Sequence, residues 1–308
     1  MTVEMKRLGE RFGVCYVDIP SQCLRTQSMS GGVLEGLQRG SLRACLNCLV
    51  MVIEQLLCSS TTSSMSFSWR LPRALYLLEE RGRISSSSTG EAIEKEVVFL
   101  PMKVLDDLSI CEQRAVLRAE TQLSAKPTAQ QELGKEWWSK NRDKYSKLTE
   151  LVLGKSGEVL DVWLEHSVGL VYEGQNMQIN LSGLVDMLVF YSTKCREDCI
   201  SLLLLFEFAL HREVSHVADR VVAYASSMYT RYGFLTLPVI TVMKSVDEDQ
   251  VERMVLLMNT DRLGISQIYA KVKHLEELLI RRARPRHAPH EVCYWCDTEL
   301  RRRCEYYL

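Results

Sequence analysis

The sequence lacks an excess of charge of either sign. Lys and Arg number 38 against 39 Asp and Glu, a net charge of −1 over 308 residues. No global field draws the chain to nucleic acid, so any DNA contact has to come from a local patch. An apolar leader is missing too: residues 1–12 are charged without an apolar core, so no signal peptide is expected. Nor does any uninterrupted apolar run have the length to cross a bilayer. The nearest approach, residues 41–58 (SLRACLNCLVMVIEQLLC), is broken by Arg43, Asn47, Glu54 and Gln55 and reads as a partly buried helix. A hydrophobic content of 46% is that of an ordinary globular protein. A cytoplasmic chain with no membrane role is expected, long enough for one large domain or two modest ones.

Cysteine, by contrast, is plentiful, with 11 in the chain. In a cytoplasmic protein clustered thiols point to metal or cluster binding rather than disulfides. The cluster is C-terminal: residues 293–304 read CYWCDTELRRRC, so Cys293 and Cys296 share one turn and Cys304 returns shortly after. Such thiolates suit Zn²⁺ or an iron–sulfur centre. A closed site needs a fourth ligand. Cys45-x-x-Cys48 alone is a weak signal.

The second chemical signal lies between Ser182 and Tyr232. SGLVDMLVF and SLLLLFEFAL read as buried strands, each with one carboxylate, Asp186 and Glu207, inside an apolar run. A charge so placed costs several kcal/mol unless it is paired or holds a metal. Two on adjacent strands read as a candidate divalent-metal site, or else as structural carboxylates of a buried strand pair. From Val214 onward the apolar positions recur at helical spacing, and Gly233 is a suitable stop.

These residues resemble the PD-(D/E)XK fold, and more closely its RecB-like exonucleases of CRISPR adaptation. The family pattern is G-x-x-D, a strand with E-x-K, and a helix with Q-x-x-x-Y. The matching residues are Gly183 and Asp186, Glu207, and Tyr224. The lysine position is Ala209 and the glutamine position is Arg220, whose guanidinium could support charge developing on a phosphate. An early motif is matched by Pro72, Arg73 and Tyr76, with Leu71 where the family has cysteine. The family's metal-binding histidine is lost or replaced by Glu94: Trp138 follows Gly134, and Glu94 follows Gly90, at that spacing.

The resemblance implies an α/β restriction-endonuclease-like core, a mixed sheet flanked by helices, over residues 65–285. Residues 1–64 would be a helical extension and 286–308 a cysteine tail packing back on the core. It implies Mg²⁺ or Mn²⁺ on Asp186 and Glu207, with Arg220 and Tyr224 in the catalytic set. It also implies a [4Fe–4S] cluster on Cys293, Cys296, Cys304 and an N-terminal cysteine, for which Cys58, Cys48 or Cys45 would substitute at the Leu71 position, with zinc as the alternative. DNA and other CRISPR adaptation proteins are the implied partners, with DNA contacts expected at Arg73, Arg281, Arg282 and Arg284. Three functions stay open: a metal-dependent DNA exonuclease, a degenerate member that binds DNA or partners without cutting, and an unrelated metal-stabilised interaction protein.

Beyond the resemblance, residues 85–145 read as polar and mixed, with helices in CEQRAVLRAETQLSA and QQELGKEWWSKNRDKYSKLTELV. Residues 157–190 read as a strand pair, and LTLPVITVM (235–243) as a strand in which Pro238 suggests an edge position or an irregularity. DEDQVERMVLLM and ISQIYAKVKHLEELLIRRARPR read as helices.

Overall fold

The computed structural model describes residues 16–18, 41–59, 95–121, 129–195, 198–210, 214, 217–233, 235–244, 250–257, 262–287, 296 and 298–304. Its centre is a mixed sheet of β1 (Tyr16–Asp18), β2 (Glu96–Pro101), β3 (Gly157–Glu173), β4 (Met177–Cys195), β5 (Asp198–Leu210), β6 (Thr236–Met243) and β7 (Val251–Leu257). The hydrogen-bonded order is β1-β7-β6-β5-β4-β2, with β3 also paired to β4.

The long strand β4 organises the rest. Its partner β3 runs antiparallel along nearly its whole length, Glu173↔Gln178 to Gly157↔Thr193. A strand has two edges, so β2 and β5 must share the other one. They do so in tandem: β2 pairs parallel with Met177–Ser182, and β5 pairs antiparallel with Met187–Cys195. Residues 183–186 lie in the fork between these two partners. The fork is also where side-chain alternation slips. Val185 and Leu188 face one core although they are three apart, and Met187 faces the other. Across the ladder, between the pairs Leu164↔Met187 and His166↔Val185, Glu165 has a φ of 51°.

One core lies on each face of the sheet. The first packs beneath α2 (Lys103–Ile110), α3 (Glu112–Thr121), α5 (Ala218–Tyr232) and α6 (Arg262–Leu279). The second packs beneath α1 (Leu42–Ser59) and α4 (Ala129–Leu153). A last short helix, α7 (Thr298–Arg303), lies in the tail and buries Leu300. The period-two run of β5 explains how it serves both faces: Leu203 and Leu205 enter the first core, and Leu202, Leu204, Phe206, Phe208 and Leu210 the second. Helix α5 ends as its sequence dictates, with Gly233 at φ 71° and its N–H bonded to the Tyr229 carbonyl.

The order α4-β3-β4-β5-α5-β6 thus gives three antiparallel strands, a helix, and a fourth strand parallel to the third. This is the mixed α/β core expected from the sequence. Helix α1 occupies the expected 41–58 segment and buries Leu42, Leu46, Leu49 and Ile53 against the sheet. Among the described residues no helix is long and apolar enough to cross a membrane.

Three expectations are corrected. Residues 251–257 form a buried central strand, not a helix: VERMVLL is too short and apolar for spacing alone to separate the two. Residues 96–101 form β2, inside a stretch read as mixed and polar. The edge alternative for Pro238 does not hold, since its strand is interior, between β5 and β7. In a parallel ladder a residue's N–H and C=O point to the same side. Leu203 N–H bonds the Leu235 carbonyl, so odd residues of this segment face β5 and Pro238 turns its nitrogen toward β7. Pairing with β7 begins only at Val239, so no ladder bond is lost.

Candidate functional site

The fork in β4 collects the charged groups. Where β2 ends, Pro101 pairs with Ser182, and Met102 N–H bonds the Ser182 carbonyl at 2.7 Å. The chain then turns directly into α2, which carries Asp106 in its first turn over the gap. From the other side, β5 brings Glu207 immediately beyond its last pair with β4, Met187↔Phe206. Asp186 fills the gap itself: its Oδ2 accepts the Phe208 backbone N–H at 2.8 Å, closing β5 onto β4 where the ladder has stopped. Below them, Gly183 leaves room for Tyr224 of α5. A Cβ on Gly183 would come within 2.6 Å of the Tyr224 hydroxyl.

Arg220, one turn before Tyr224, joins the carboxylates. Its guanidinium bonds Glu207 Oε1, and its Nε lies 3.6 Å from Asp106 Oδ2. The Asp106 carboxylate also accepts the Arg220 backbone N–H at 3.3 Å, near the start of α5. Asp106 and Glu207 are both buried. Burial raises the Asp106 pKa to about 7, against the opposing pull of Arg220. Burial, then the neighbouring Glu207 charge, also pushes Asp186 well above the usual carboxylate range. For Arg220 burial disfavours the cation, yet Glu207 and Asp106 outweigh it and hold the guanidinium charged. Burial raises the Tyr224 hydroxyl as well.

Asp186, Glu207, Arg220 and Tyr224 are therefore brought together. Ala209, two residues past Glu207, shares its strand face but has no group to add. Asp106 was missed by sequence reasoning. Its signal was the one that marked Asp186, a carboxylate in an apolar run, here VLDDLSI. Its neighbour Asp107 is engaged elsewhere, by Arg114 at 2.8 Å and by Arg118. Trp138 lies on the far face, stacked on Phe208 at 4.9 Å, whereas Glu94 is outside the described residues. The oxygen donors of the fork are of the type that Mg²⁺ and Mn²⁺ take. Among the described residues no three His, Cys, Asp or Glu side chains stand arranged to hold a metal ion.

The tail makes a second cluster. Glu112 accepts from the Arg286 backbone N–H at 2.8 Å and from its Nε at 2.7 Å, laying residues 284–287 against the start of α3. This brings His287, Cys296 and Cys304 around a small cavity with Cys111, the residue between α2 and α3. Arg114, Leu117, Leu300 and Arg301 also line it. Cys111, not Cys45 or Cys48, is thus the thiol beside the tail. Cys48 is buried in the second core with Cys45 packed alongside, on the opposite sheet face. The side chain of Cys58 and all of Cys293 lie outside the described residues, as do Arg73 and the Leu71–Tyr76 motif. Arg281, Arg282 and Arg284 are exposed just after α6, away from the carboxylates in sequence. His166 is partly buried against Trp163, with ring centroids 4.7 Å apart.

No family model and no curated protein matches this sequence. Two solved structures are similar in outline. The crystal structure of SSO0001 is 12% identical, with a TM-score of 0.40, covering 76% of this chain and 96% of that one. A putative exonuclease from Eubacterium rectale is 8% identical, with a TM-score of 0.38, covering 69% and 90%. At those scores neither likeness carries an argument about function.

Proposed function

We propose that the fork is the active site of a metal-dependent DNA exonuclease-like protein whose catalysis is weakened. One observation carries the reading: Asp186 accepts the N–H of Phe208, the residue after Glu207, across a gap that sheet pairing does not close. In this reading Asp186 and Glu207 hold Mg²⁺ or Mn²⁺, which when bound activates water and offsets charge on a scissile phosphate. Tyr224 packs under Gly183 and fixes α5 against the fork. Arg220 supplies a permanent positive charge. Ala209 leaves the lysine's role unfilled, which is why weak turnover is expected. The exposed Arg281, Arg282 and Arg284 would contact the DNA backbone, together with Arg73.

The tail thiols Cys293, Cys296 and Cys304, joined by Cys111, are proposed to hold a [4Fe–4S] cluster or zinc. Their donor set is soft and suits either. A role in CRISPR adaptation, with its other proteins as partners, belongs to the same reading. The missing lysine also favours a second reading, a member of this fold that binds DNA without cutting it.

The deciding experiment is cleavage of end-labelled DNA by anaerobically purified protein with Mn²⁺. Weak cleavage that disappears with EDTA and in Glu207→Gln supports the exonuclease. DNA binding without cleavage supports the second reading. Robust cleavage that persists in EDTA or in Glu207→Gln overturns the assignment of the site.

A further inference from the structure

The position between the carboxylates is already filled by a cation that belongs to the chain. We infer that the Arg220 guanidinium, steadied by Asp106, is an internal counter-ion at Glu207 that a divalent ion has to displace. The inference rests on the metal reading of Asp186 and Glu207 and adds a competition to it.

Three observations carry it. The guanidinium bonds Glu207 Oε1, one of the oxygens a metal at this pair would use. It is held from its other side by Asp106, through the 3.6 Å ion pair at Nε. Its backbone is fixed by the same carboxylate, which accepts the Arg220 N–H. Asp106 thus locks both the start of helix α5 and the side chain that the helix projects. The Arg220 side chain is only 14% exposed, so water does not screen its pairing with Glu207 effectively.

Asp106 is then a positioning residue. It restrains Arg220 against Glu207, and it is not itself a metal ligand. The two roles have opposite signs in a binding measurement. Loss of a ligand weakens metal binding. Loss of a restraint frees the guanidinium to leave and strengthens it. Removing the guanidinium altogether gives the full release of the competitor.

The test is Mn²⁺ binding to the full chain at pH 8, followed by electron paramagnetic resonance of free Mn²⁺, in wild type, Arg220→Gln, Asp106→Asn and Glu207→Gln. Circular dichroism and cooperative urea unfolding establish that each variant is folded. R220Q is expected to bind Mn²⁺ on the order of tenfold more tightly than wild type, one tenfold step in affinity being a modest change for removal of a close competing charge. D106N is expected to bind more tightly by a smaller factor, and E207Q to lose binding. Arg220→Lys, which keeps a cation but not the fork, should fall between wild type and R220Q. If R220Q binds no more tightly while E207Q loses binding, the competition is wrong and the metal site stands. If D106N binds more weakly, Asp106 is a ligand and its assigned role is wrong. If neither wild type nor R220Q binds Mn²⁺, the metal reading itself has failed and the competition with it.

Discussion

Asp186 Oδ2 receives the Phe208 backbone N–H at 2.8 Å at the point where β5 has ceased to pair with β4. A side chain therefore does the work of a ladder carbonyl, and the same side chain is the proposed metal ligand. The two roles separate by substitution. Asp186→Asn keeps an oxygen acceptor for Phe208 and removes the ionisation that burial opposes. Asp186→Ala leaves a buried N–H without its partner, at a cost of about 1–3 kcal/mol. By urea unfolding at pH 8, D186A is expected to be less stable than D186N by that amount, whereas both lose Mn²⁺-dependent cleavage. Equal stability of the two would show that the hydrogen bond does not hold β5 in place.

Much of the fork was legible in the sequence because it was written as contradictions to local pattern. Asp186 and Glu207 interrupt apolar strands, and Gly183 and Tyr224 keep a fixed spacing to them. Asp106 was written the same way but in a shorter run, beside a second carboxylate, Asp107. The strand at 251–257 was not legible, since Val251, Met254 and Val255 satisfy helical spacing as well as a buried strand does. Cys111 was a lone thiol until Glu112 and Arg286 brought the tail beside it. Convergence of residues some 180 positions apart is set by tertiary packing, which no local period records.

Gly183 is expected to tolerate no side chain. A methyl there would meet the Tyr224 hydroxyl at 2.6 Å and its ring at 2.7 Å, and Tyr224 is itself buried in the first core. Gly183→Ala should therefore cost about 1–3 kcal/mol in urea unfolding, the usual range for overpacking. Pairing it with Tyr224→Phe removes the nearest atom and should recover part of that loss. If the double variant is no better than the sum of its parts, the contact is not the cause.

The raised pKa of Asp106 makes a stability claim with a definite sign. The folded state holds its proton up to about pH 7, whereas the unfolded chain releases it near the ordinary aspartate value of 3.8. Between those values the folded state binds more protons, so stability is present at low pH and falls as pH rises. The shift corresponds to at most about 4 kcal/mol, with Asp186 acting in the same direction. Unfolding free energies measured from pH 5 to pH 8 should decline for this reason. Asp106→Asn should flatten the decline, and a slope unchanged in that variant would assign the loss to other groups.

Ala209 offers the most direct route to a gain of function. Two residues beyond Glu207 on the same strand face, it is 5% exposed and carries nothing that could support an attacking water. A lysine there would reach the fork along its aliphatic stem, since the stem tolerates burial if the ammonium finds carboxylates. Ala209→Lys is expected to raise Mn²⁺-dependent cleavage by about tenfold or more, less than the roughly 10²–10⁴-fold of a fully positioned acid–base group. It should also lower stability by about 1–3 kcal/mol, because the site is packed for a methyl group. Ala209→Met fills the same volume without the charge, so it should share the stability loss and show no gain. Equal cleavage by the two variants would mean that bulk, and not the missing ammonium, limits this site.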